Sequence, residues 1–297
     1  MQTTITTDRL LVTPLTIGHS AFIFELVNTT GWLKFIQKSS VNSEAEANTY
    51  VENIINSSNI HYRVVWLKDS NLPIGIISFI KRDYLSHHDI GFALLPEYGN
   101  NGYAYEAAKA VLNHENNSHK HSRILGITRS DNFKATRLLE KLGLEFDGEV
   151  EVEDERLQLY AISTDKLHIT QITQSFFSVF TNKGPSKANL ELLNQICISQ
   201  TRITNKKSSE VTVYDLPEFI ESRTKILNKG RLKEFEEIEI HDETKIVNNI
   251  AHRYSEYEKK GILDGKPFSQ KGFKLLRFVK IEQSWKISSI ISEDSEI

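Results

Sequence analysis

Asp89-Ile90-Gly91-Phe92-Ala93-Leu94-Leu95-Pro96-Glu97-Tyr98-Gly99-Asn100-Asn101-Gly102-Tyr103-Ala104-Tyr105-Glu106-Ala107 is the stretch on which the reading of this 297-residue chain turns. Asp89–Leu95 reads as a strand, ended by Pro96. Gly99 and Gly102 punctuate the loop that follows. From about Tyr103, Ala104, Ala107, Ala108, Val111 and Leu112 recur at helical spacing. A strand, a glycine-containing loop and a helix start make an anion site. Residues without a Cβ let backbone approach a phosphate closely. The free N–H groups of the first helical turn then point at it, and the helix dipole adds to the attraction. A pyrophosphate is the natural guest. The same glycines also suit a plain connecting turn, and a short glycine motif alone does not separate the two.

Working outward, the first half reads β, α, α, β, β, β, α, β, α, β. Arg9–Val12 forms a short strand. Phe22, Ile23, Leu26 and Val27 have helical spacing, as do Ala47, Tyr50, Val51, Ile54 and Ile55 behind a Ser43…Glu46 capping-box pattern. Tyr62–Leu67 and Ile74–Ile80 are strands joined at Asp69-Ser70-Asn71. Ile124–Thr128 is a strand, Asn132–Leu142 a helix stopped by Gly143, and Leu157–Ile162 a last strand.

The second half opens with helices and closes with strands. Leu167, Ile172, Phe176, Phe177 and Phe180 share one helical face, and Leu190, Leu193 and Ile196 a shorter one. Phe219, Ile220, Arg223, Ile226 and Leu227 predict a third helix, with Pro217 in its first turn. The alternating runs Phe235–Ile240, Ile246–Tyr257, Phe273–Ile281 and Trp285–Ile291 favour an antiparallel meander. This order predicts an α+β architecture. Residues 1–165 carry 15 Lys/Arg against 21 Asp/Glu, and the remainder 21 against 18. With a length suited to two domains, that shift places a boundary near residue 165, giving domains 1–165 and 166–297.

Composition narrows the function classes. With 39% hydrophobic residues and a single cysteine, Cys197, a disordered chain and a disulfide scaffold are both excluded. No stretch approaches the roughly 20 apolar residues of a spanning helix. No basic-then-apolar leader opens the chain, so a cytoplasmic protein without a membrane partner is expected. A net charge of −3 does not suit a nucleic-acid binder. The ten histidines do not pair with acids at metal-ligand spacing. Cys197 reads as a small buried hydrophobe.

Three segments, in order, resemble the GNAT N-acetyltransferases of the ribosomal-protein-acetylating type. They are Thr7-Asp8-Arg9-Leu10-Leu11; Pro96-Glu97-Tyr98 leading into Gly102-Tyr103-Ala104 and Glu106-Ala107; and Asn132-Phe133-Lys134-Ala135 leading to Leu139-Glu140-Lys141-Leu142-Gly143-Leu144. Together they cover about residues 5–165. The resemblance implies a mixed, mostly antiparallel sheet with flanking helices, and transfer of acetyl from acetyl-CoA to an amine by direct attack in a ternary complex. Four positions depart from the family's pattern. Gly99 stands where the loop begins with Arg or Gln, Ala135 where a Ser stands, Leu144 where an aromatic stands, and Leu139 where many relatives carry a Tyr general acid.

On that resemblance the pyrophosphate cradle is the backbone of Gly99, Asn100, Asn101, Gly102 and Tyr103, with Ala104 behind it. The strand facing pantetheine and thioester is Phe92, Ala93 and Leu94, with Ala93 as oxyanion donor. Asp89 matches the position of a catalytic glutamate in histone-acetylating relatives and is the first candidate for the base. A solvated strand-end carboxylate is the competing reading, since an ordinary Asp titrates near ~4. His87 and His88 lie nearer the working range. Asn132 either caps its helix or reaches the cofactor. Tyr103 and Tyr105 either pack or serve as acid.

The second half, through element order and the segments Gly272-Phe273…Arg277-Phe278-Val279-Lys280 and Gln283-Ser284-Trp285-Lys286-Ile287, resembles the nuclear-transport-factor-2-like cone fold. The resemblance implies a curved sheet closed by helices around a pocket that His252, Tyr254 and Tyr257 would line. Phe273–Ile281 is apolar on both faces, which suits a deep core or a homodimer through this sheet. The expected activity is therefore acetyl transfer to a protein N-terminus, a lysine or a small amine. A non-catalytic acyl-CoA sensor is the alternative, and chemistry in the second domain a third reading.

Overall fold

The structure, a computed structural model, describes residues 3–36, 41–117, 120–228 and 230–295. The chain divides into two compact units, Met1–Thr164 and Asp165–Ile297. Among the described residues no helix is long and apolar enough to cross a membrane.

The first unit runs β1 (Ile5–Thr6), β2 (Leu10–Pro14), α1 (Ser20–Val27), α2 (Thr30–Phe35), α3 (Glu44–Asn56), β3 (Ile60–Leu67), β4 (Leu72–Ile80), β5 (Asp89–Leu94), α4 (Tyr103–Asn117), β6 (Arg123–Arg129), α5 (Phe133–Lys141), β7 (Glu145–Val152) and β8 (Glu155–Ser163). They form one sheet in the order β1-β2-β3-β4-β5-β6-β8-β7. Neighbours are antiparallel except β5 and β6.

Alternation sends Val64, Ile76 and Ala93 to one face, where they meet Ile23, Leu26, Ala47 and Val51 of α1 and α3. The capping box at α3 forms with one change. Ser43 Oγ accepts from Glu46 N–H at 3.2 Å, while Glu46 reaches back to Asn42 N–H, one residue ahead of the cap. The sequence reading lacks β1, α2 and β7. Glu145–Val152 is an edge strand whose four carboxylates alternate with Phe146, Gly148, Val150 and Val152; none of these is fully buried and Phe146 is 57% exposed, so the strand presents little apolar surface to read.

The second unit runs α6 (Thr164–Ser178), α7 (Leu193–Ile196), β9 (Cys197–Lys207), β10 (Glu210–Asp215), α8 (Leu216–Asn228), β11 (Leu232–Val247), β12 (Ile250–Leu263), β13 (Lys266–Ile281) and β14 (Ser284–Asp294). Its six-stranded sheet has the order β10-β9-β14-β13-β12-β11. The meander β11–β14 is antiparallel, and β14 then pairs with β9 in parallel.

Two expectations are corrected here. A hairpin, β9–β10, interrupts the helices. Its buried stripe is Cys197, Thr201 and Ile203 among polar neighbours, too sparse to read as alternation. The runs Phe235–Ile240 and Ile246–Tyr257 fall mainly on two successive strands, β11 and β12, but the break between them comes later than residues 241–245. β11 continues through the polar His241–Lys245, kinked by bulges, and the turn falls at Asn248, whose φ is 52°.

The core of this unit is filled. Phe176 and Phe177 of α6, Phe180 just beyond it and Phe219 of α8 pack on Tyr257, Leu276, Phe278 and Trp285. β13 is buried on one face only. Leu276 and Phe278 lie in the core, whereas Phe273 and Ile281 on the other face are 40% and 50% exposed. Nor do His252, Tyr254 and Tyr257 converge. Tyr257 points into the core, while the side chains of His252 and Tyr254 take the opposite face. Cys197 is buried, and burial pushes its thiol up to about 12.

Candidate functional site

β5 and β6 are hydrogen-bonded at their start and separate beyond it. Leu125 N–H donates to the His88 carbonyl, Asp89 and Leu125 are the paired residues, and no pairing continues along Ile90–Leu94. The result is a wedge-shaped opening with β5 as one wall.

Register decides which β5 amides line it. Leu95 N–H donates to Ile74 of β4. Alternation therefore turns the Ala93 and Gly91 amides toward β4, and those of Ile90, Phe92 and Leu94 toward the opening. Of the three expected strand donors, Phe92 and Leu94 face the right way. Ala93 does not, because its side of the strand is the one already bonded to β4.

The opening leads to the loop before α4. Here Asn100 and Gly102 have φ of 64° and 80°, left-handed values that suit Gly and Asn. Gly99 is there for another reason: its backbone is extended, and a Cβ would sit 3.1 Å from the Pro96 carbonyl. A Cβ on Gly102 would meet Arg9 Nη2 at 3.5 Å. The first turn of α4, from Tyr103, opens directly from this loop, so its free N–H groups lie at the mouth of the wedge.

Glu106, also in that first turn, is bound from β1–β2. Thr7 Oγ1 donates to it at 2.5 Å, Arg9 N–H at 2.9 Å and Arg9 Nε at 2.7 Å. Arg9 Nη1 donates to the Asn101 carbonyl at 3.1 Å, and its guanidinium lies over the Tyr103 ring, 4.5 Å from the centroid. Tyr103 is thus packed against Arg9, while Tyr105 lies beneath Lys109 and Lys141.

At the closed end of the wedge is Asp89, 2% exposed, with Arg82 Nε donating to Oδ1 at 2.8 Å. Burial raises the Asp89 carboxyl above its ordinary value, and Arg82 opposes only part of that rise. Tyr62 acts on the same cluster: its hydroxyl is hydrogen-bonded with Tyr50, and it feels the charges of Arg82 and Asp89. His88 stacks on Phe79 at 4.9 Å and meets His121 edge-on at 4.6 Å. Burial first, and then the neighbouring histidines and Lys81, hold it down to about 4. His87 instead contacts Ser86 Oγ at 2.9 Å.

α5 closes the region. Asn132 caps it, Oδ1 accepting from Ala135 N–H at 3.2 Å. Leu139 is 1% exposed and presses on Gly126 of β6, where a Cβ would lie 2.5 Å from Leu139 Cδ2. One turn earlier, Thr136 Oγ1 is buried with no hydrogen-bond partner among the described residues. Also among the described residues, no group of three or more His, Cys, Asp and Glu is placed to hold a metal.

The sequence reading placed Asp89, the loop and Asn132 in one region; in the structure Asp89 shares a face with Leu125 and Ala93, toward α1 and α3, whereas α5 and its cap Asn132 lie over Gly126 on the opposite face of the sheet. The reading lacked Arg82, Tyr50, Tyr62 and Thr136, which no local spacing links to Asp89. Arg9 was in view through the Thr7-Asp8-Arg9 segment, without a partner to give it a role.

The Acetyltransferase (GNAT) domain family matches residues 9–145. The uncharacterized N-acetyltransferase YnaD of Bacillus subtilis (strain 168) is 31% identical over 146 residues, which is 48% of this chain and 84% of that protein. A GNAT structure from Brucella melitensis covers 63% of this chain and 91% of its own at TM-score 0.51 and 14% identity, a likeness of fold. A ribosomal-protein alpha-N-acetyltransferase solved in complex with coenzyme A is 16% identical, covering 54% of this chain and 98% of its own at TM-score 0.48.

Proposed function

The chain belongs to the GNAT family of N-acetyltransferases, and from that premise we propose that residues 1–165 bind acetyl-CoA along the β5–β6 wedge and acetylate a primary amine in a ternary complex. The observation that carries this reading is the wedge itself, with amide donors along one wall and a helix N-terminus at its mouth. The cradle fits a diphosphate: left-handed Asn100 and Gly102 expose their amides, and no Cβ intrudes at residue 102. Thr136 offers a further polar atom in want of a partner.

Acetyl-CoA, when bound, supplies an activated acyl thioester. The chain supplies the rest. The Ile90, Phe92 and Leu94 amides stand about 7 Å apart along β5, so one of them donates to the oxygen that gains charge as the amine adds and the others meet the pantetheine arm. An alkyl amine is mostly protonated at pH 7, so a base must take its proton before it can attack. Asp89 is that base: buried at the closed end of the wedge, with a carboxyl raised toward the useful range. Arg82 fixes its orientation. Leu139 offers no proton, so the departing thiolate is protonated by solvent.

Calorimetric titration with acetyl-CoA, with 3′,5′-ADP as control, tests the cofactor. Micromolar binding that needs the pantetheine arm is expected, and no binding overturns the reading. On an amine panel, Asp89→Asn is expected to lower kcat by about 10²-fold or more with acetyl-CoA affinity retained. The wild-type kcat/KM profile should show an ascending limb above the ~4 of an ordinary Asp, since the ionised form is the base. The variant should lack that limb.

For the second unit, the nuclear-transport-factor-2-like reading is supported by helices packed on one face of a bulged sheet whose last strand returns beside β9. The filled core favours interaction over ligand capture. On the outer face Tyr254 and Phe273 stack at 5.7 Å, with exposed Ile250, Ile281 and Ile291. His252, Arg277, Glu243 and Glu256 share that face through their cross-strand pairing. An apolar centre with both charge signs around it suits an isologous contact with a second copy. Sedimentation should show a dimer that Tyr254→Lys converts to a monomer. A monomeric wild type overturns this.

A further inference from the structure

The first turn of an anion-binding helix is a poor place for a carboxylate. The helix end offers roughly half a positive charge. A full negative charge in the same turn works against an incoming diphosphate. Glu106 sits there. Burial pushes its carboxyl up, but the bonds from Thr7 and Arg9 outweigh that and hold it below the ordinary range, so it stays ionised.

Arg9 answers this charge. Its Nε and Nη2 each lie 2.7 Å from Glu106 Oε2. The same guanidinium touches three consecutive cradle residues: it donates to the Asn101 carbonyl, lies within 3.5 Å of where a Gly102 Cβ would be, and covers the Tyr103 ring. As a contribution to stability, a half-exposed ion pair is worth little. Its worth lies in where it is.

We propose that Arg9 is a positioning residue for the acyl donor: it pins the Asn101–Tyr103 backbone in its anion-binding shape and cancels the Glu106 charge at the helix end. This rests on the acetyl-CoA reading above. It gives the Thr7-Asp8-Arg9 segment a task that its distance in sequence from the cradle hides.

The test uses the full chain and two acyl donors. Acetyl-CoA carries the diphosphate, and acetyl-pantetheine shares the thioester arm without any phosphate. Arg9→Gln should weaken acetyl-CoA by about tenfold or more, with the KM of the amine unchanged and kcat/KM for acetyl-pantetheine within about twofold. Adding Glu106→Gln to Arg9→Gln should recover part of the lost affinity, about threefold, because the uncancelled charge is then gone. Arg9→Lys, which keeps the charge without the fork, should fall between wild type and Arg9→Gln.

Unchanged acetyl-CoA affinity in Arg9→Gln overturns the proposal. So does an equal loss on acetyl-pantetheine, which would mark a general structural role. A double variant no better than Arg9→Gln overturns the charge-cancelling part. A wild type that binds neither donor overturns the parent reading instead, and separates the two failures. Arg9→Lys, with circular dichroism as the check on folding, keeps the test decisive if Arg9→Gln does not fold.

Discussion

Leu139 and Gly126 face each other so closely that the residue at 139 is set by packing. The leucine fills the space above a residue with no side chain, and Leu144 completes the contact. A tyrosine put there to restore the acid seen in many relatives has no room for its ring. Leu139→Tyr is expected to cost about 1–3 kcal/mol through overpacking without raising kcat, as chemical denaturation and a thiol-release assay would show. Either an unchanged midpoint or a faster enzyme would sink that argument. The departure at 139 was plain in the sequence. Its cause was not, because Gly126 lies thirteen positions away and carries no motif. Gly102 teaches the converse. Any side chain there is strained by its φ of 80°, so a weaker affinity in such a variant mixes backbone distortion with obstruction. Arg9 is the cleaner probe.

Helices with well-marked ends and strands with apolar alternation were legible, and those built from charge were not. The Ser43…Glu46 box announced α3, and Asn132 announced α5. β7 stayed hidden because four of its eight residues are glutamate or aspartate, and β9 because its buried stripe includes a threonine. The opening between β5 and β6 was beyond any reading of one segment, since it exists only in the register of two. Asn132 invited two roles, and its cap geometry separates them. Asn132→Ala should lower stability by about 1 kcal/mol with acetyl-CoA affinity unchanged. A fall in affinity beyond about threefold would restore it to the cofactor.

Each unit has its own core, and the second one hides charge inside it. Lys274, 7% exposed, donates to Glu237 at 2.6 Å and sits 3.4 Å from the centre of the Tyr257 ring. Nearby, Arg253 is held by Glu239 and Asp242 at 2.6 and 2.8 Å. Such pairs add little net stability but are dangerous to halve. Glu237→Gln should destabilise the second unit by about 3–5 kcal/mol, whereas Glu237→Leu with Lys274→Met should recover most of it. Denaturation followed by the fluorescence of Trp285, buried in this core, would show it. A single variant as stable as wild type would mean that the pair is solvated.

β14 is the last strand along the chain, yet it lies between β9 and β13 in the interior of its sheet. During synthesis the β9–β10 hairpin and the β11–β13 meander therefore emerge as two separate pieces with facing open edges. Only residues 284–294 join them. Until then the second unit carries two unpaired edges, the kind that recruit strands from other chains. The first unit closes in the same way, β8 entering between β6 and β7, but it is complete by residue 164. Vectorial translation thus favours a nascent chain whose first half is already folded while the second depends on its final strand to close.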